Sequence, residues 1–341
     1  MAERLSRKEL YDLVWSEPLR TLSSRFGISD VALKKTCARS EIPTPERGYW
    51  ARKDAGKPTL QVALPIRPPG MDDQVLIAGG QSYWYQNWNK EELLGPLPPP
   101  PEFPEPIEAV RQRIAKVMGK VSVPRGVHVW HHAIDRLLKE VEARREKQRA
   151  SLYPMSWNDQ RFDSPFERRR LRILNGLFIA VGKMNGKPSF YANEARECHV
   201  SFYQQHVRIT LDQPKQSSRR GHVASSTGSN DGRLSLSLHE GPNTETALKT
   251  WQDGDGGKLE TQMTEVANEI VLTAEICYRE RAVSQYQWRV ERKAELEEEE
   301  RQRKLAAERA EKERQKQMEQ ARIDRLLSDA AAFQRANEIR K

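Results

Sequence analysis

Apolar positions recur at helical spacing near the start of the chain. Leu10, Leu13 and Val14, with Tyr11 and Trp15, mark one face of a helix over Arg7–Ser16. Pro18 breaks that helix and suits the start of a second, in which Leu19, Leu22 and Phe26 point inward. Gly27 can take the positive φ of a sharp turn, Ile28 plugs it, and Ser29 caps a third helix with Asp30 at its positive end. In that helix Val31 or Leu33, then Thr36 or Cys37, face the core. Ser29, Asp30, Lys34, Lys35 and Ala38 are left outward. Helix, glycine turn and helix make the pattern of a helix-turn-helix, whose second helix lies in the DNA major groove. Residues 1–57 are therefore expected to form a tri-helical helix-turn-helix domain with a basic arm.

The pattern then changes character. Residues 58–106 read as a proline-rich linker, with Pro65, Pro68, Pro69, Pro96, the run 98–101, Pro104 and Pro106 favouring polyproline II. Inside it, Tyr83, Trp84, Tyr85 and Trp88 read as a docking segment or as a base-stacking platform. Residues 107–150 predict a helical hairpin, with Ile107, Val110, Ile114, Val117 and Val121 on one face and Ile134, Leu137, Leu138 and Val141 on the other helix. Residues 165–283 predict an α+β domain of order α-β-β-β-α with an antiparallel sheet. Its helix spans 166–184, and its strands fall at 189–192, 199–211 (with room for a hairpin) and 233–239. A polar insert at 213–232 carries Lys215, Arg219 and Arg220 as a phosphate-touching loop. The DGDGG turn after Trp251 reads as a helix cap.

From about Val266 one long helix runs towards Glu319. Its stretch 284–322 reads as a charged long helix, which after Trp288 is almost pure Glu, Arg, Lys, Gln and Ala. Glu297 with Arg301, Glu299 with Arg303, Glu300 with Lys304, and Glu308 with Lys312 are spaced as ion pairs worth about 0.3–0.5 kcal/mol each. It reads as a solvent-exposed strut or a weak coiled coil. Residues 323–341 regain Leu326, Leu327, Ala330 and Phe333, as a short helix for docking or self-association. The fold class is mainly α with an α+β domain.

Composition sharpens the partner more than the fold. Of 341 residues, 31% are Asp, Glu, Lys or Arg and 37% are apolar, so part of the chain is solvated rather than packed. A net charge of +9 and a pI near 9.4 favour polyanions, nucleic acid first and anionic membrane second. No apolar run reaches a membrane span, the N-terminus has no secretory apolar region, and the three cysteines form no CxxC. These features predict a cytoplasmic protein without disulfides.

Downstream of the third helix, IPTPERGYWARKDAGKP sets Tyr49 and Trp50 beside Arg52, Lys53 and Lys57. The aromatics read as the bundle's missing core and the cations as an arm along a phosphate backbone. Here the chain resembles a group of uncharacterised bacterial helix-turn-helix proteins. Their pattern is Tyr-x-x-Val-Trp, then Pro, then Gly-Ile-Ser-Asp, Ile-Pro-x-Pro and Gly-Tyr-Trp. It is matched by Tyr11, Val14, Trp15, Pro18, Gly27 to Asp30, Ile42, Pro43, Pro45 and Gly48 to Trp50. The later part of the chain resembles the group loosely. The resemblance implies DNA binding and names no reaction.

The predicted contacts to double-stranded DNA are Ser29, Asp30, Lys34, Lys35, Arg39, Arg52, Lys53 and Lys57. Asp30 would accept from a cytosine amino group, and Lys34 would donate to guanine O6 and N7 or to a phosphate. His128, His131 and His132 have no carboxylate or cysteine partner fixed nearby, and His131 and His132 are expected on different sides of a helix, so no metal is assigned. No phosphate loop is present and no cofactor is expected. The expected role is a DNA-binding protein, not an enzyme, serving as a regulator or as a component of a mobile element or defence system. A protein-interaction scaffold or adaptor comes second. A DNA-processing enzyme built around Glu194, Glu197 and His199 comes third.

Overall fold

The computed structural model describes residues 3–77, 90–124, 126, 129–150, 162–191, 194–214, 232–241, 244, 246–254 and 257–339. The readings on Tyr83, Trp84, Tyr85, Trp88, His128, Lys215, Arg219 and Arg220 lie outside the described residues. The architecture is mixed α+β, and the chain divides into two compact units. One comprises Met1–Gly80 and Glu102–Arg281, the other Gln81–Pro101 and Ala282–Lys341.

The first unit begins with a strand that the hydrophobic pattern does not announce. β1 (Glu3–Ser6) precedes α1 (Arg7–Ser16), α2 (Leu19–Arg25), α3 (Asp30–Arg39), α4 (Tyr49–Asp54) and β2 (Gln74–Ile77). Ser6 and Glu9 form a reciprocal capping box at α1: Ser6 Oγ accepts the Glu9 N–H at 3.1 Å and Glu9 accepts the Ser6 N–H at 2.7 Å. β1 and β2 pair antiparallel from Glu3↔Ile77 to Ser6↔Gln74. Leu10, Val14, Trp15, Leu22, Phe26, Leu33, Cys37, Ile42, Tyr49, Val75 and Ile77 close one core. The stretch read as linker is thus corrected in part, because Val75 and Ile77 complete the head.

The rest of this unit is a one-sided sheet under helices. α5 (Lys90–Leu94) belongs to the second unit. α6 (Ile107–Met118), α7 (His132–Ala150) and α8 (Pro165–Gly182) precede β3 (Lys187–Phe190), β4 (Glu197–Phe202), β5 (Gln205–Asp212), β6 (Ser235–Glu240) and β7 (Lys249–Gln252), and α9 (Leu259–Ile339) ends the chain. The sheet is an antiparallel meander in the order β3-β4-β5-β6-β7. Alternation puts Cys198, Val200, Phe202, Val207, Ile209, Leu211, Leu236, Leu238 and Trp251 on the buried face. These side chains share a core with Leu174, Phe178 and Val181 of α8 and with Met263, Val266 and Ile270 of α9. Val110, Ile114, Ile134 and Leu137 join the same core, so residues 107–141 are part of this body.

Several expectations are corrected. Five strands form where three were read: 199–211 divides at Tyr203, which turns at φ 55°, and Lys249–Gln252 adds a strand around Trp251. Val117 is 50% exposed, and Met118 takes the core position instead. α9 starts at Leu259 and continues unbroken to Ile339, without a separate helix after 322.

Residues between the head and the body are held by ionic contacts. Glu275 of α9 is fully buried; it accepts from Arg67, from the Gly70 N–H at 3.0 Å and from Arg279 at 2.8 Å. Arg281 donates to both oxygens of Asp72, at 2.7 and 2.9 Å. Gly70 (φ 75°) lies so close to the body that a Cβ would meet Phe202 Cβ at 3.2 Å and Ala274 Cβ at 3.3 Å.

In the second unit, Leu93 and Leu296 are buried, Lys90 pairs with Glu300 at 3.2 Å, and Lys293 donates to the Gly95 carbonyl at 3.0 Å. None of the four i,i+4 pairs read from the sequence is present. Arg301 turns to Glu298 at 3.1 Å, and Glu297 lies 3.8 Å from Lys293. Exposed pairs of this kind are nearly isoenergetic, so spacing does not select among them.

Glu275→Ala should cost about 3 kcal/mol, the lower end for breaking a buried pair because both arginines reach solvent. Urea unfolding against the parent chain measures it, and a loss under about 1 kcal/mol would show that the network is not a fastening. A second outcome concerns pH. His131, His199 and His239 are held below the usual 6.5, in each case chiefly by burial. The unfolded chain therefore takes up more protons as pH falls through 6.5, so stability is fully present above that value and declines below it. The urea midpoint should be lower at about pH 5.5 than at about pH 7.5; an equal or higher acid midpoint would contradict this.

Candidate nucleic-acid interface

The turn between α2 and α3 is built from backbone requirements. Phe26 closes α2 with its N–H on the Leu22 carbonyl, Gly27 takes φ 64°, and the Ile28 N–H returns to the Ser23 carbonyl at 3.0 Å. Ser29 then caps α3, its Oγ accepting the Ala32 N–H at 3.1 Å. Leu33 and Cys37 are fully buried and Thr36 nearly so. This settles the inward choice: Leu33 faces the core, and Val31 stands outward, 58% exposed.

The opposite face of α3 is open. Asp30, Val31, Lys34, Lys35, Ala38 and Arg39 are all exposed. Lys34 and Lys35 form no ion pair with any described residue. Arg39 donates to Thr36 Oγ1 at 3.2 Å and stays exposed. Asp30 Oδ1 accepts the Val31 N–H at 2.9 Å, at the positive end of the helix. Ser29 Oγ is committed in the same way. The structure therefore brings Ser29, Asp30, Lys34, Lys35 and Arg39 onto one helix, with the lysines as its uncommitted donors.

Residues 49–57 do not form an extended arm. Gly48 enters α4 at φ 82°, and Tyr49, 6% exposed, packs edge-on against Trp15 with ring centroids 5.1 Å apart. Trp15 Nε1 donates to the Pro43 carbonyl at 2.9 Å. Tyr49, rather than Trp50, is the deeper anchor. Lys53 Nζ lies 4.9 Å from the Trp50 ring centre, Arg52 is 3.9 Å from Glu46, and Lys57 follows the helix; all three cations are exposed. Arg20 on α2, absent from the predicted contacts, is also exposed with no ion pair to a described residue. Its signal was its place on the polar face of a short helix.

The back of α3 is fixed. Arg7, 2% exposed, donates to the Ser40 carbonyl at 2.7 Å, the Glu41 carbonyl at 3.1 Å and the Pro65 carbonyl at 3.3 Å. Burial holds its guanidinium below its usual value. The Glu41 side chain accepts from the Tyr203 hydroxyl and from Asn185 Nδ2 at 2.8 Å. Tyr203 is pushed well above 10, first by burial and then by that hydrogen bond. Cys37, beneath the helix, is pushed up to about 11 by burial.

The residues considered for catalysis each have a neighbour in the sheet region. Glu194 lies 3.5 Å from Arg196 and Glu197 3.9 Å from Arg208, while His199 Nε2 is 2.6 Å from Ser189 Oγ. His131 and His132 were expected on different sides of a helix; their ring centres are 4.1 Å apart. Among the described residues no three His, Cys, Asp or Glu side chains are placed to hold a metal ion. Among those residues, too, no helix is long and apolar enough to cross a membrane. No protein-family model, curated protein or solved structure matches this chain.

Ser29→Ala should cost about 1 kcal/mol by orphaning the Ala32 N–H, and Ser29→Asp should restore most of it. Thermal unfolding of the three chains checks the cap; equal midpoints for Ser29→Ala and the parent would remove it.

Proposed function

We propose that the chain binds double-stranded DNA through a helix-turn-helix formed by α2 and α3, with α3 in the major groove. The observation that carries this reading is the outer face of α3. Lys34 and Lys35 stand exposed and unpaired on a helix whose opposite face is locked into a core. A short helix that enters after a glycine turn and offers uncompensated cations is suited to a phosphate-lined groove. Arg20, Arg39, Arg52, Lys53 and Lys57 supply further exposed positive charge for backbone contacts. The resemblance of residues 11–57 to bacterial helix-turn-helix proteins agrees with this reading. Service as a regulator, or as a component of a mobile-element or defence system, follows from DNA binding without being specified by it. We place the protein in the cytoplasm.

A second reading, a protein-interaction scaffold, draws on α9. Beyond Arg301 its described side chains are exposed, including Leu326 at 61% and Leu327 at 64%. Self-association or partner binding there is compatible with DNA binding by the head.

A gel-shift titration of the full chain on random duplex at several salt concentrations separates the two. DNA binding predicts affinity that falls linearly on a log–log plot as salt rises. Lys34→Ala with Lys35→Ala should weaken binding by roughly tenfold or more and reduce the salt slope by about 2. A salt-insensitive shift, or a double variant with unchanged slope, would sink the proposal.

A further inference from the structure

The lysines of α3 account for affinity but not for sequence choice, since a lysine binds phosphate and base edges alike. Val31 is different. It lies in the first turn of α3, 58% exposed, on the stripe completed by Lys34, Lys35 and Ala38 at helical spacings of three, four and seven. Isolated exposed apolar side chains are ordinary, and Leu60 is more exposed still. Val31 is set apart by where it stands. The first turn of a groove-binding helix comes closest to base edges. Its N–H is already bonded to Asp30 Oδ1, so its isopropyl group is what remains to meet a partner. A branched side chain is also a poor choice for a solvated helical turn, being stiff about χ1, yet that stiffness lowers the entropy lost on contact.

An isopropyl group gains nothing from a phosphate or from the polar atoms of a base edge. The major groove offers one apolar target, the thymine C5 methyl group. We propose that Val31 reads a thymine methyl, a role that rests on the DNA-binding reading above. Side chains three apart on a helix are about 5–6 Å apart at Cβ, and stacked bases about 3.4 Å. The thymine therefore lies one or two steps from the base pair, or the phosphate, that Lys34 faces.

The test begins with the full chain selecting its preferred duplex from a random-sequence pool. The enriched duplex is then remade with each thymine in turn replaced by deoxyuridine, which deletes the methyl and keeps every hydrogen-bonding atom. At one thymine the parent chain should lose about three- to fivefold in affinity, the worth of one buried methyl. Val31→Ala should lose a similar factor on the thymine duplex and be indifferent to deoxyuridine at that position. Val31→Thr, which keeps one methyl, should retain part of the discrimination. Val31 takes no part in the core, and alanine is the better helix former, so thermal unfolding of neither variant should fall measurably below the parent's. A chain that enriches no consensus, ignores every deoxyuridine, or stays as sensitive after Val31→Ala overturns the assignment while DNA binding stands. Absence of duplex binding at any salt overturns DNA binding itself.

Discussion

A carboxylate with no exposed surface organises this molecule. Glu275 sits in the helix that covers the sheet, and a buried charge is tolerable only with several donors around it. Arg67, Arg279 and the Gly70 N–H provide them. Arg67 also donates to the Met71 carbonyl at 2.6 Å and lies over the Tyr278 ring at 4.3 Å. Residues 67–71 therefore cannot leave α9 without stranding a charge in apolar surroundings. A few positions later the same strand of chain becomes β2 and pairs with the residues that lead into α1. The fastening at Glu275 is in this way transmitted to the helical head.

A second fastening grips α3 itself. Glu41, Asn185 and Tyr203 all hold positive φ, at 51°, 61° and 55°, and their side chains meet in one hydrogen-bonded group. Each such residue costs about 1–2 kcal/mol of backbone strain. Glu41 needs its conformation to end α3, where its N–H and that of Ile42 return to the Ala38 and Cys37 carbonyls. Asn185 and Tyr203 need theirs to turn from α8 into β3 and from β4 into β5. Three tight turns required by separate elements thus converge, and their side chains offset the strain. The C-terminal end of α3 is held from two sides, by this group and by Arg7. Its N-terminal turn, with Val31 and Lys34, carries no such contact among the described residues.

How much of this was legible depended on how local each cause was. The bounds of α1, α2 and α3 follow from Pro18, Gly27 and Ser29, because caps and turns act over three or four residues. The alternation of leucine with serine in β6 was equally plain. β1 and β2 were not, since each is four residues long and their pairing joins positions about seventy apart, which no periodicity reports. β7 was hidden for a similar reason, with Trp251 as its sole buried residue. The continuity of α9 could have been read: residues 258–341 contain neither glycine nor proline, and a return of leucines was mistaken for a new element. Val31 could not be told from Leu33 by spacing alone, as both fit an inward position within a helical turn.

Net charge proves a coarse guide beside what burial does to it. Among the described residues the buried cations are arginines. Arg7 spans three carbonyls, and Arg170, fully buried, serves Glu167 and the carbonyls of Glu194 and Ala195. Arg169 grips Asp253 and Glu260 with paired bonds, and those bonds raise it above its usual value. A planar fork with five donors can satisfy several acceptors at once, which a single ammonium cannot. Lysine takes the converse position: on α3, Lys34 and Lys35 stand exposed. The surplus charge of +9 therefore does not measure the positive surface available for binding. Arginines turned inward are occupied where they stand, and the outward face of α3, poor in carboxylates apart from the self-bonded Asp30, keeps lysines that no described carboxylate pairs.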